Sequence, residues 1–292
     1  IILRKSMALD EILLTLVLNL SSLQEVEPKL ENIFKNIHSS LHKEFENLVG
    51  FCLNFNTLKG NRILGRESVP IAGLDYIEEV LSSSRSEDGK QKEGIKFRLS
   101  ANSFFQIHSS QTVTLLEEID KTVRETELRK PVIVDAYAGV GTIALWLSGI
   151  ASKLYAIEEN PHAVENGKTN LLINEMDNIE FIGGRAEDVL PELKSHDTKI
   201  DILILDPPRK GLSSSALEAT LAAGARHIIY VSCNPTTLAR DLKLLEAGGV
   251  CDEDGKVDNI GYKTERVTPI DMFPQTYHVE SLAYLCKNTT SR

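Results

Sequence analysis

Apolar and polar positions along the chain fall into two regimes that meet near residue 100. In the first, "EILLTLVLNL" (11–20) reads as a strand and "VGFCLNFNT" (49–57) as a second one. Between them, "EVEPKLENIFKNIHSSLHKEFENL" sets Leu30, Ile33, Phe34, Ile37, Leu41, Phe45 and Leu48 at three- and four-residue steps. That spacing predicts an amphipathic helix. The polar, Gly- and Ser-bearing run "SSSRSEDGKQKEG" (82–94) predicts an exposed loop. From residue 110 onward the pattern changes. "PVIVDAYAG", "SKLYAIEENP", "IEFIGGRAED", "IDILILDPPR" and "ARHIIYVSCNP" are apolar runs ending in small or polar residues, with helical stretches such as "HAVENGKTNLLINE" between them. Near-continuous apolar strands alternating with helices predict an α/β fold with a mostly parallel sheet covered on both faces. We therefore expect a small α/β region over residues 1–99 and a larger doubly wound domain over 100–292. In such sheets ligands bind outside the carboxyl ends of the strands.

Composition narrows the class. The 292 residues are 42% apolar and 25% charged, as in a globular protein, and no apolar run is long enough to span a bilayer. A net charge of −10 argues against a broadly basic, nucleic-acid-coating surface. It leaves room for a local basic groove. The four cysteines, Cys52, Cys233, Cys251 and Cys286, are scattered without a C-x-x-C pair. Neither a disulfide framework nor a metal or iron–sulfur site has the required spacing, so free thiols in a reducing, intracellular compartment are expected. The chain opens on Ile1 where an initiator Met would stand, which points to a fragment.

The strand ends hold the candidate chemistry. "VDAYAGVGTIAL" (134–145) is a strand, a Gly-bearing turn and a helix start, in which Gly139 and Gly141 would let a ligand approach the backbone. A plain strand–helix turn would use the same residues. Glu158 follows Asp135 by 23 residues, near the offset of an acid that bonds a ribose. In "ILILDPPRKG" four apolar residues deliver Asp206 to a strand end, and two prolines then stiffen the loop. In "IIYVSCNPTT" Cys233 stands where Pro235 ends the strand. In "DMFPQTYHVESLAYL" Glu280 lies among apolar neighbours, a setting that raises a carboxyl pKa and suits a proton acceptor. Strand alternation would put His278 on the face of Glu280, where a packed, hydrogen-bonded histidine is expected.

"SANSFFQIH" (100–108), "VDAYAGVGT", "ILDPPRKG", "VSCNPTT" and "DMFPQTYHVE" occur in the order and approximate spacing of the RNA uracil-C5 methyltransferases, which the chain resembles over residues 95–287. The resemblance implies a Rossmann-like, class I methyltransferase domain that uses S-adenosylmethionine to make 5-methyluridine in tRNA or ribosomal RNA. Carried over by position, Cys233 is the nucleophile and Glu280 the general base. Gln106, Tyr137, Glu158 and Asp206 become cofactor-contacting residues. Arg209 would help to shape the uracil pocket. Thr142 stands where many bacterial members have Asn, so the chain departs from the family's pattern at that position. Members often begin with an OB-fold RNA-binding module, and some hold a cysteine-ligated iron–sulfur cluster; neither is expected in these residues. Three rivals use parts of the same pattern. A 5-methylcytidine enzyme would place proline directly before its cysteine, where this chain has Ser232. A non-catalytic RNA-binding factor would not need Cys233 and Glu280. A nicotinamide-dependent oxidoreductase leaves "DPPRKG" and "SCNPTT" unexplained.

Overall fold

The computed structural model describes residues 1–60, 63–83, 94–106, 108–248 and 261–288. The loop expected over 82–94 falls outside these residues except at its ends, and Cys251 lies outside them. The chain divides into two compact units, Ile1–Phe105 and Gln106–Arg292, so "SANSFFQIH" straddles the division.

In the first unit β1 (Ile2–Lys5), β2 (Ile12–Leu18), β3 (Leu48–Phe55) and β4 (Glu67–Gly73) form one sheet in that order. Helix α1 (Pro28–Glu44) links β2 to β3, and the two strands pair in parallel, as a crossover connection requires. Strands β5 (Tyr76–Leu81) and β6 (Ile95–Ser100) form a separate antiparallel pair. Phe51, Leu53 and Phe55 of β3 pack with Val26 into a small core. The amphipathic helix is present, but it ends at Glu44 and Leu48 belongs to β3. Its apolar stripe is poorly covered: Leu30, Ile33 and Ile37 remain 41–42% exposed.

The second unit holds a seven-stranded sheet among the described residues. Its strands are β7 (Val132–Asp135), β8 (Lys153–Glu158), β9 (Ile179–Gly183), β10 (Ile202–Leu205), β11 (His227–Ser232), β12 (Tyr262–Ile270) and β13 (Glu280–Lys287). The order is β12-β13-β11-β10-β7-β8-β9. Strands β7 to β11 are parallel, and β13 then β12 extend the β11 edge antiparallel. The helices are α2 (Ser109–Glu125), α3 (Thr142–Leu147), α4 (Pro161–Ile173), α5 (Ala186–Ser195), α6 (Ser214–Ala223) and α7 (Pro235–Ala247). All four residues of β10 are buried, as a central strand covered on both faces demands. Burial of each such aliphatic side chain contributes about 1.5–3 kcal/mol. The exposed β12 instead alternates in burial along its length.

Two features of this topology position the site. The chain runs outward from β7 through β8 to β9, then returns to lay β10 on the other side of β7. The crevice of a doubly wound sheet opens at such a reversal. Strand β13 starts beside the end of β11, with Ser281 opposite Ser232. Because β13 begins at Glu280, His278 lies in the preceding turn, outside the alternation that would have put the two on one strand face.

Candidate functional site

Five strand ends bring the chemistry-bearing residues to one edge of the sheet. Asp135 is the last residue of β7 and Glu158 the last of β8. Asp206 follows β10, Cys233 follows β11, and Glu280 opens the antiparallel β13. Asp135 and Asp206 therefore flank the reversal point.

Cys233 is held in a fixed turn. The Ser232 Oγ donates to the carbonyl of Asn234 and accepts from its N–H, both at 3.2 Å, so it reaches across the cysteine to the next residue. Asn234 caps α7 by accepting from the Thr236 N–H at 3.1 Å, and Pro235 occupies the first helical position. The thiol thus lies just ahead of a helix N-terminus, where partial positive charge favours an anion. Burial nevertheless raises its pKa, the Glu280 carboxylate adds to the rise, and the Arg209 guanidinium pulls it back. Glu280 is only 2% exposed. Burial, helped by the charge of Asp206, pushes it up to about 8. Asp206 keeps a partly exposed edge, yet withdrawal of its carboxyl from water pushes it up to about 7. Cys233, Glu280, Asp206 and Arg209 therefore act on one another as one electrostatic cluster.

A second group adjoins it. Asp135 is fully buried and neither Oδ has a hydrogen-bond partner. The N–H groups of Tyr137 and Ala144 lie near enough to favour its charge but fall short of bonding geometry. Burial, with Asp206 and Glu158 adding like charge, pushes Asp135 up to about 8. Glu158 accepts from the Gly139 N–H at 2.9 Å and from the Asn160 N–H at 2.8 Å, which ties the first turn to the end of β8. Gly139 has φ +55°, and a Cβ there would meet nothing within 4 Å. The turn is open above it. Tyr137 packs partly buried against the core, and burial with Glu187 and Glu159 nearby pushes it up to about 12.

The structure thus gathers Cys233, Glu280 and Asp206, sets Glu158 beside them through Asp135, and keeps Tyr137 on the same turn. Gln106 opens the second unit, partly exposed, ahead of α2; no interaction among the described residues ties it to the cluster. His278 is not packed in the core. Its ring lies 4.2 Å from that of Tyr277, which is 92% exposed.

Two groups escaped the sequence reading. Asp135 served there only as a reference point for Glu158, although an acid closing an apolar strand was itself a signal. The other is the network under the Asp206 loop. Asp241 accepts from the Tyr230 hydroxyl at 2.6 Å and from the Leu212 N–H at 2.8 Å. Arg240 pairs with Asp241 and donates to the carbonyls of Lys210 at 2.9 Å and Leu212 at 3.2 Å. Asn234 and Thr237 both donate to the Arg209 carbonyl. The signal was an acid on a buried helix face: Asp241 lies at three- and four-residue steps from Leu238 and Leu245, both buried.

Comparison with known proteins identifies the family. The family model for tRNA (uracil-5-)-methyltransferases matches residues 62–288. An uncharacterized RNA methyltransferase of Gloeobacter violaceus is 39% identical over 277 residues, covering 94% of this chain and 51% of that relative. Another, from Oceanobacillus iheyensis, is 38% identical over 259 residues, covering 88% and 50%. The chain spans about half the length of these relatives. The crystal structure of Pyrococcus abyssi tRNA (uracil-54, C5)-methyltransferase, solved with S-adenosyl-L-homocysteine, superposes with a TM-score of 0.67 at 25% identity, over 97% of this chain and 58% of that one. With its strand-end cluster and a family match over most of its length, the chain belongs to the tRNA (uracil-5-)-methyltransferase family.

Proposed function

We propose that the chain methylates C5 of a uridine in tRNA or ribosomal RNA, with S-adenosylmethionine as donor and Cys233 as a covalent catalyst. The observation that carries this reading is the cluster of one thiol, one raised-pKa carboxyl and one guanidinium at the end of β11. The adjoining group fits the donor. A buried carboxyl without a partner, a glycine turn open above its Cα and a second carboxyl on that turn suit a ligand bearing an ammonium, a sulfonium and a ribose. Asp135, Glu158, Tyr137, Asp206 and Gln106 would hold it. When bound, it supplies an electrophilic methyl group on sulfur.

Uracil C5 is a poor nucleophile, and the protein's residues change that. The Cys233 thiolate forms a bond to C6 and the ring takes up the electron pair as an enolate, so C5 becomes nucleophilic. After C5 has gained its methyl group, Glu280 accepts the C5 proton. The electron pair of that C–H bond restores the C5–C6 double bond and expels the Cys233 thiolate. Arg209 favours the charged sulfur at the start and at the end. The target uridine has to leave its stack to reach this edge of the sheet.

Nucleoside mass spectrometry of RNA incubated with labelled cofactor tests the reading; 5-methyluridine is the expected product and a methylated cytidine would overturn it. Cys233→Ala should abolish transfer while leaving cofactor binding intact. Glu280→Gln should accumulate a cysteine-linked RNA adduct on a denaturing gel, and its absence would remove Glu280 from the role of base.

A further inference from the structure

We propose that the turn between β12 and β13 is a stacking platform for an unpaired RNA base next to the target uridine, with Tyr277 as its outer plane. This rests on the reading above that the substrate is RNA. Scattered exposed apolar residues are ordinary on a protein surface. This one is not scattered. Tyr277, 92% exposed, lies with its ring 4.2 Å from the His278 ring at 38°, and the His278 ring lies 5.9 Å from Phe273 at 67°. Three rings are thus clustered on one short turn, His278 tilted against Tyr277 and edge-on to Phe273.

The turn is built to hold them. The Thr276 Oγ1 donates to the Phe273 carbonyl at 2.7 Å and accepts from the His278 N–H at 3.1 Å. The Thr276 N–H donates to the same carbonyl at 3.2 Å. Met272, 2% exposed, anchors the entry, and its N–H donates to the Ile270 carbonyl at 3.0 Å. Gln275 adopts φ +66°, a left-handed conformation that a non-glycine side chain rarely takes.

Position supplies the function. The turn leads directly into Glu280, and β13 places Glu280 beside the end of β11 and Cys233. An RNA strand that delivers one flipped uridine to this edge leaves its neighbour unstacked. A ring face exposed three residues from Glu280 can receive that neighbour. With a net charge of −10, the molecule has little general attraction for phosphate, so ring stacking gains weight in the binding balance. The exposed Arg209 and Lys210 at the same sheet edge provide local positive charge.

The test uses the full chain with two probes, a short single-stranded oligouridylate carrying one 2-aminopurine and an unmodified transfer-RNA transcript. Tyr277→Ala should weaken binding of both by roughly tenfold or more, the change that one lost base–aromatic stack of about 1.4 kcal/mol corresponds to. It should also relieve quenching of the 2-aminopurine. Tyr277→Phe should keep affinity within about twofold of the parent, since the ring face and not the hydroxyl makes the stack. Affinity for S-adenosylhomocysteine should be unchanged in both variants. Unchanged RNA affinity in Tyr277→Ala, an equal loss in Tyr277→Phe, or no measurable binding of either RNA by the parent chain would overturn the proposal. Its fate is separable from that of the preceding reading. Synthesis of 5-methyluridine with RNA affinity indifferent to Tyr277 sinks the platform alone. A product other than 5-methyluridine sinks the uridine assignment while the affinities still decide the platform.

Discussion

Cys233 and Glu280 both resist the ionised state that their proposed work requires. Burial raises the thiol, and the Glu280 charge raises it further; burial pushes Glu280 up to about 8. At neutral pH the free site therefore holds protons on both groups, and each proton removed moves it towards the competent form. The rate of a single methyl-transfer turnover should rise with pH from 6.5 towards 8.5, by up to about tenfold per unit for each group that still has to lose a proton. Rapid-quench measurements across that range check it, and a flat profile would contradict the assignment of both groups. Arg209 opposes the rise of the thiol pKa, so Arg209→Ala should displace the profile to higher pH as well as slow the reaction. The apolar context of Glu280 was readable in the sequence, because Val279, Leu282 and Ala283 surround it. The sulfur's setting was not readable, since Glu280 and Arg209 lie 47 and 24 residues from Cys233 and meet it only through the sheet.

The loop after β10 is fixed less by its prolines than by α7. Gly211 has φ +73°, and a Cβ there would come to 2.3 Å from the Asp241 Oδ2 and 2.7 Å from an Arg240 terminal nitrogen. Gly211→Ala would therefore meet both backbone strain and the pair that holds the loop. We expect it to cost about 1–3 kcal/mol of stability, read by denaturant unfolding, and to depress turnover beyond its effect on cofactor affinity. Tyr230→Phe removes only one hydrogen bond from Asp241 and should cost about 0.5–1.5 kcal/mol. No loss of stability in either variant would show that the loop does not depend on this network. What could be read at this scale divides by the range of the interaction. The parallel strands announce themselves because burial on both faces removes polar residues from them, as in "ILIL" of β10. The amphipathic helix α1 was equally legible from its spacing, but its incomplete coverage was not, because periodicity specifies a stripe and says nothing of what packs on it. Strands β1, β4, β5, β6 and β12 were not legible: they are short or partly exposed, so burial leaves only a weak apolar pattern in them. His278 was misplaced because the alternation of β13 was extended two residues beyond its start.

Across the whole molecule, three carboxyls at one sheet edge tie folding to pH and to ligand charge. Asp135 and Glu280 are pushed up to about 8 and Asp206 to about 7, against ordinary values of 3.8, 4.5 and 3.8. Between pH 4 and pH 8 the folded chain holds more protons on these groups than the unfolded chain does. Stability therefore falls as pH rises through that window. Their contribution is fully present below about pH 4, falls progressively above it, and is completely lost once each group has ionised, near pH 7–8. Asp135, fully buried, carries the largest share. Its rise of about four units corresponds to an upper bound of about 5 kcal/mol by pH 9, at 1.36 kcal/mol per unit. Asp135→Asn cannot ionise, so it should gain stability over the parent progressively from pH 5 to pH 9, with the two curves closest at the acid end. Thermal unfolding of both chains across that range measures it, and parallel curves would place the Asp135 carboxyl in water. The same linkage gives a signature for the cofactor. A ligand bearing ammonium and sulfonium charges favours the ionised carboxylates, so its binding at pH 7 should release protons. Calorimetry in buffers of different ionisation enthalpy reads that release directly. The midpoint shift produced by S-adenosylmethionine should accordingly be larger at pH 8 than at pH 6, which reverses the trend of the free chain. Proton uptake on binding, or a shift that shrinks with pH, would mean that the cation does not sit against these carboxyls.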